Sequence, residues 1–482
     1  MHYFDSFIKL MSISTSGVQI ADNQLQSAES STMATPKGRP VGGTEYGLWR
    51  ASPGGTGIAV LALLVSKAPD ISRLQNAIDK LQNFHPILKS RLIHSNTLSF
   101  NTSPAPFVQI KSHTLECLSS PENHSISPFH LVLEHELNQN TWCSNTADML
   151  FFASIYALPN TKWVVVLRLH LSAFDRTTSA SLLRELLVLM GEGEEGEETH
   201  KEMAMSLGIE DLIPRGKAKK SLWAHGVDML SYSVGSLSLS NLKFQDPKSP
   251  RSSQVVRLQI NQSETHRILA GCKSRGIKLS GALAAAGLIA AYASKRRADN
   301  QGKKYGVMTL VDCRSILDPP LSSHHFGFYH AAIPNTHVMK GGEKLWELAQ
   351  KTYMAFANSK KCNKHFSDMA DLNFLMLKAI ENPGLTPASS LRASFMSVFE
   401  DPVVINDDHD QPATDHVGLE DYMWCASVHG VGPSIAIFDT IRDGRLDCAC
   451  VYPAPLHSRE QMQELVDTMK AILVDGGNHV QE

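Results

Sequence analysis

Residues 191–202 read Gly-Glu-Gly-Glu-Glu-Gly-Glu-Glu-Thr-His-Lys-Glu, and this stretch divides the chain. Five glutamates in its first eight positions repel one another wherever water is withdrawn, so the segment must stay solvated. The sequence on either side therefore has to build its cores separately. The glycines fit Gly-x-Gly-x-x-Gly, but a dinucleotide site needs that pattern between a strand and a helix. Here it follows a helical stretch, and its carboxylates would repel a pyrophosphate, so that reading is rejected. Residues 203–253 continue without regular pattern, carrying Pro214, Lys217, Lys219, Lys220 and a Ser/Pro/Lys run at 246–253. They read as a long crossover.

Both flanks are patterned. Before the break, Ile58 to Val65 reads as a strand, introduced by a turn at Gly54, Gly55 and Gly57. Asp70 caps a helix whose Leu74, Ala77, Ile78 and Leu81 share one face. Met149 to Ala157 and Lys162 to His170 read as strands around a Pro159-Asn160 turn, and Thr177 to Met190 as a helix. After the break come a strand at Gln254 to Ile260, helices from Ser263 and over Ser280 to Arg296, and a strand at Tyr305 to Asp312. Strands near Ser434 to Thr440 and Leu446 to Val451 follow, then a helix from Ser458 to Leu473 with Ser458 as its cap. The order is mixed rather than regularly alternating, which favours mixed or antiparallel sheets. The expected division is a mobile tail over 1–38, an α/β half over 39–190, the crossover 191–253 and a second α/β half over 254–482.

Composition narrows the function classes. With 482 residues there is room for about two to four domains. A formal charge of −3 argues against nucleic-acid binding by bulk electrostatics. The longest apolar runs, such as Ala282 to Tyr292, are too short to span a bilayer. None of the eight cysteines forms Cys-x-x-Cys, so zinc-ribbon and thioredoxin chemistry lack support, and no metal-ligand cluster appears. Cys448 and Cys450 would share one face of a strand as buried thiols. The first residues lack a secretory layout, so a reducing cytoplasmic setting is the expectation, and the sequons at Asn101, Asn123 and Asn261 read as chance. Gly-x-Ser-x-Gly and Walker patterns are missing.

The most informative stretch runs Leu167-Arg168-Leu169-His170-Leu171-Ser172-Ala173-Phe174-Asp175-Arg176-Thr177. A strand ends, a short loop follows, and a helix begins. A histidine at a strand end has the acidity of a general base near neutral pH. An aspartate at a helix start caps free N–H groups. The same residues equally describe a core histidine beside a capping aspartate.

This stretch resembles the HHxxxDG motif of the CoA-dependent acyltransferase superfamily, which includes BAHD acyltransferases, alcohol acetyltransferases, wax-ester-synthase-like enzymes and peptide-synthetase condensation domains. Phe84-His85-Pro86-Ile87-Leu88-Lys89-Ser90-Arg91-Leu92 is similar to the family's HPxLR segment. Asp312-Cys313-Arg314 through Asp318-Pro319-Pro320-Leu321, with Phe326-Gly327, resembles the BAHD segment that runs Arg, Pro-Pro-Leu, Tyr/Phe-Gly-Asn. Asp443-Gly444-Arg445-Leu446 resembles the closing strands, and Gly42-Gly43-Thr44-Glu45-Tyr46 the opening of plant proteins in the group. The similarity spans about residues 40–475. It implies an α/β (α+β) fold of two chloramphenicol-acetyltransferase-like subdomains with mixed sheets flanking a central tunnel. It also implies acyl-CoA as co-substrate without a resident cofactor, a small-molecule acyl acceptor, and a monomer.

The departures fall on the chemistry. His170 aligns with the first histidine of the motif, and Leu171 occupies the place of the second, which is the family's base. Arg176 stands where the family has glycine. Val428-His429-Gly430-Val431-Gly432 matches the BAHD DFGWG segment without its aspartate and tryptophan. Strand alternation sets Leu171 and His170 on opposite faces, so a channel that receives one excludes the other. The resemblance makes Asp175 a structural partner of Arg314, with Gly327 part of the same motif, and leaves His170 and His429 as candidate catalytic residues. His324 and His325 read as a solvated loop pair, with His330 just beyond. Three readings follow: an acyltransferase acting on a hydroxyl or amine, a pseudo-enzyme that binds ligand or protein, and a repurposed catalyst that works without this base.

Overall fold

The computed structural model describes residues 38–479 except 95, 115–125, 144–147, 192–203, 238, 295–301, 384–389 and 406–416. The expected tail, apart from Gly38, and the acidic segment after Gly191 lie outside the described residues. The strands are β1 (Gly38–Pro40), β2 (Thr56–Val65), β3 (Ser90–His94), β4 (Leu98–Thr102), β5 (Ile110–Thr114), β6 (Phe151–Ala157), β7 (Trp163–His170), β8 (Ser252–Ile260), β9 (Lys303–Asp312), β10 (His330–Met339), β11 (Arg392–Phe399), β12 (Val403–Ile405), β13 (Leu419–Val428), β14 (Gly432–Arg442) and β15 (Arg445–Ala454). The longer helices are α1 (Gly43–Ala51), α2 (Ile71–Phe84), α3 (Pro128–Asn138), α4 (Arg176–Gly191), α5 (Leu222–Leu237), α6 (Gln262–Ser274), α7 (Leu279–Ala293), α8 (Leu345–Lys361), α9 (Met369–Glu381) and α10 (Arg459–Asn478).

The fold is mixed α/β with mixed sheets. A five-stranded sheet runs β13-β2-β7-β6-β5, a larger sheet runs β10-β9-β11-β14-β15-β8 with β12 beside β14, and a small sheet runs β1-β4-β3. β11 lies parallel to both neighbours in the larger sheet. The chain after residue 254 does not stay in one sheet: β13 pairs antiparallel with β2 across Leu419↔Val65 to Val428↔Thr56. Its buried Met423, Cys425 and Ala426 join a core that also holds β2, β7, Phe399 from β11 and Phe438 from β14. A second core fills the space between the larger sheet and α7, α8 and α10.

Local rules account for much of this. Asp70 accepts from the Ser72 and Arg73 N–H groups at the start of α2, and Leu74, Ala77, Ile78 and Leu81 are buried. Ser458 caps α10. Asn261, the third sequon, caps α6 through the Glu264 N–H. Alanines let α7 lie close against α8, where Thr352 Oγ1 reaches the Gly281 carbonyl at 3.2 Å. Cys448 and Cys450 are fully buried free thiols on β15, pushed up by burial. One expectation fails: residues 203–253 are not irregular throughout, because they contain α5.

Candidate active site

β7 carries the candidate stretch to its end, where Ile58 of β2 pairs with His170. Alternation along β7 turns His170 inward, to 0% exposure. Its Nδ1 accepts from the Ser172 N–H at 3.1 Å and lies 2.7 Å from Ser172 Oγ. Nδ1 is therefore the acceptor, and the ring proton sits on Nε2, which donates to Ser52 Oγ at 2.8 Å. The Ser52 hydroxyl in turn donates to the Leu48 carbonyl at 3.0 Å. The edge of Trp142 closes the pocket at 4.9 Å between centroids. Burial pushes His170 down to about 3, so the imidazole is neutral and both nitrogens are engaged. The structure thus removes His170 from reach of a substrate.

Leu171 is the first residue of the turn and is half-buried. Its N–H donates to the Gly57 carbonyl at 2.9 Å. A leucine here supplies no proton chemistry.

Asp175 begins the next element. It caps α4 by accepting from the Thr178 N–H at 2.9 Å. Arg314 grips it with two bonds, at 2.8 and 3.0 Å. The Tyr329 N–H adds a contact at 2.9 Å, and His330 Nδ1 one at 3.0 Å. Burial alone would raise this carboxyl; Arg314 and His330 outweigh burial and hold it well below the usual carboxylate range. Gly327 completes the corner. Its carbonyl takes the Thr178 hydroxyl at 3.1 Å, and a Cβ there would lie 2.6 Å from the Tyr329 ring. His330 was the member of this corner that no sequence pattern linked to Asp175.

The other resemblance segments are structural ties. His85 binds Glu185 of α4 at 2.6 Å and stacks on Phe326 at 3.7 Å. Glu45 pairs with Arg39 and receives the Gly42 N–H. His324 is exposed and reaches Glu185 at 3.2 Å. Arg176, in the place of a glycine, is buried over the Phe399 ring, with Asp439 of β14 at 3.0 Å. The contact is a charge pairing rather than an aligned hydrogen bond, since both Asp439 oxygens lack a well-oriented donor. Burial lowers Arg176 and raises Asp439, each offset in part by the other.

His429 lies between β13 and β14. Ser253 Oγ accepts the Val428 N–H at 2.9 Å and sits 3.0 Å from His429 Nδ1. The serine hydroxyl, with two lone pairs and one hydrogen, pairs with either tautomer of His429. Burial first, then Arg392 and Arg251, push this histidine down to about 4. Arg392 holds the turn through the carbonyls of Val428 at 2.8 Å, Pro433 at 2.7 Å and Gly430. It is fully buried and pushed down to about 9.

Sequence reasoning missed the piece that joins these positions. The loop Ser52–Gly57 touches each in turn: Ser52 binds His170, the Thr56 hydroxyl binds the Val431 carbonyl at 2.9 Å, and the Gly57 carbonyl binds Leu171. Gly55, at φ 88, lies against His429 so closely that a Cβ would fall 1.8 Å from Nε2. The glycine cluster at 54, 55 and 57 is the sequence signal for this loop, and it marks a turn without naming what packs against it.

Residues 249–351 match a family model described as phthiocerol/phthiodiolone dimycocerosyl transferase C-terminus. By sequence, no curated protein matches the chain. Polyketide synthase associated protein 5 from Mycobacterium tuberculosis is similar at 15% identity and TM-score 0.65, over 92% of this chain and 98% of that one. TRI3 trichothecene 15-O-acetyltransferase from Fusarium sporotrichioides is similar at 14% identity and TM-score 0.68, over 93% and 97%. The X-domain from teicoplanin biosynthesis is similar at 15% identity and TM-score 0.61, over 93% and 96%. These likenesses show the fold: the two-subdomain, chloramphenicol-acetyltransferase-like architecture of condensation and acyltransferase proteins.

Proposed function

We propose that this chain is an acyltransferase of specialised metabolism that moves an acyl group from a CoA thioester to a small-molecule hydroxyl or amine, without a histidine base. The observation that carries the reading is the Asp175–Arg314–His330 corner, joined by three hydrogen bonds at the place where the superfamily motif stands. The similar TRI3 protein is a trichothecene 15-O-acetyltransferase, which supports the reading. The matches to the BAHD opening and to Arg314 through Leu321 support a BAHD-like assignment within the superfamily.

The reaction forms an ester or amide bond, breaks the C–S bond and leaves CoA as thiol. In the usual course a histidine takes the acceptor's proton. Leu171 cannot, and His170 is sealed. Loss of a general base typically costs about 10²–10⁴ in rate. What is left is positioning of the thioester and hydrogen bonding to the developing oxyanion. His429, pushed down to about 4 and therefore neutral, stands on the turn that resembles the DFGWG segment, and its direct involvement is left to the His429→Ala test.

A second reading, a binding protein on the same scaffold, is favoured by the closed state of His170. The similar X-domain has been solved in complex with OxyB. Incubation with a panel of acyl-CoAs and acceptors, followed by free-thiol detection, separates the two. The expected result is slow acceptor-dependent thiol release that Leu171→His increases at least about tenfold, near 1.4 kcal/mol of barrier. No release from either protein overturns the enzyme reading. Fast release by the wild type overturns the absence of a base and turns attention to His429, tested by His429→Ala.

A further inference from the structure

α5 is an amphipathic helix turned inside out. Among its described residues, the polar side chains of His225, Asp228 and Tyr232 face the protein. His225 meets Asp371 at 2.7 Å, Tyr232 donates to Asp368, and Asp228 meets Lys220 at 2.7 Å. Lys220, just before the helix, also binds Asp368 at 2.8 Å and Asp371 at 2.7 Å. Positions 225, 228 and 232 fall together on a 3.6-residue period. The opposite face holds Trp223, Val227 and Leu230, spaced i, i+4, i+7, and these are 80%, 46% and 42% exposed. A helix at a protein–water boundary ordinarily shows the reverse pattern. The polar network on α9 and the segment before it fixes the rotation of α5, so its apolar stripe cannot turn inward.

The residues leading into that stripe are cationic. Arg215, Lys217 and Lys219 are exposed on two successive turns, closed by Lys217 N–H to the Pro214 carbonyl and Lys219 N–H to the Gly216 carbonyl. Exposed cations just ahead in the chain of an outward tryptophan and aliphatic residues are the pattern of helices that lie in the headgroup region of an anionic bilayer. No single helix among the described residues is long and apolar enough to cross a membrane.

We propose that the Trp223–Val227–Leu230 face of α5, with Arg215, Lys217 and Lys219, docks the protein on an anionic lipid surface. The cations meet lipid phosphates, and the apolar side chains enter the acyl boundary. The inference is independent of the acyl-transfer reading.

Co-sedimentation of the full chain with vesicles tests it. The protein should pellet with phosphatidylcholine vesicles containing phosphatidylglycerol, much less with phosphatidylcholine alone, and be released by salt. Trp223→Ser should lower partitioning about tenfold, and Lys217→Gln and Lys219→Gln about fivefold each. Thermal melts should be unchanged for all three, since the altered groups project into solvent. A wild type that stays in the supernatant with both vesicles overturns the proposal. So does Trp223→Ser pelleting like the wild type, or light scattering that finds a dimer which Trp223→Ser dissociates without any vesicle binding.

Discussion

Two buried charges hold the two turns nearest the candidate site, and they are compensated differently. At the β7–α4 corner the Asp175 carboxylate faces a guanidinium and an imidazole. At the β13–β14 turn the Arg392 guanidinium hydrogen-bonds carbonyls alone, and no carboxylate among the described residues bonds to it. Opposite charge keeps the first group ionised and its carboxyl far below neutrality. Burial first, then the like charge of Arg251, pushes the second down to about 9, with only carbonyl dipoles to offset them. The corner is thus a closed electrical unit, while the turn leans on backbone geometry and spreads its positive field onto His429.

The largest expected effect breaks the corner. Asp175→Asn leaves buried Arg314 with only the part-exposed Asp312, at 3.2 Å, as counter-charge and should cost about 3–5 kcal/mol in denaturant unfolding. Arg314→Gln should add much less in the double variant than alone. Additive losses would show that the pair is not a unit. A smaller loss, about 2–3 kcal/mol, is expected for Arg392→Met, which strips carbonyls of their donor. The same change should raise the titration of His429, seen in the pH dependence of its ring NMR signals, because Arg392 pushes it down. A loss as great as that of Asp175→Asn would erase the contrast.

The smallest effect is a slope. His170 titrates near 6.5 when unfolded and about 3 when folded. Between those values the unfolded chain binds the extra proton, so stability rises with pH and falls as the solution is acidified below about 6.5. His337, His365, His429 and His457, each pushed down to about 4, act in the same direction. His170→Gln should flatten the acid limb by up to about 1.4 kcal/mol per pH unit, measured by urea unfolding at several pH values. An unchanged slope would mean that His170 already takes up its proton in the folded state.

The β7–α4 corner was legible because its rules are local: alternation placed His170 and Leu171 on opposite sides, and Asp175 opens a helix. The joining of Asp175 to Arg314 was available only through the family resemblance, since charge pairing across so many residues leaves no periodic trace. α5 was hidden because Trp223, Val227 and Leu230 face water while His225, Asp228 and Tyr232 face protein, which defeats a reading that assumes the opposite. Arg392 was hidden because carbonyl partners have no sequence signature. The Ser52–Gly57 loop showed its glycines but not what pressed against them.

β13 also sets the timing of biosynthesis. β2 emerges early from the ribosome, yet the strand that covers its outer edge spans Leu419–Val428. At about 5–20 residues per second that edge stays bare for tens of seconds, an open template for another nascent chain. A message truncated before Leu419 would never close it, so truncated products should collect in inclusion bodies instead of accumulating as a stable first half.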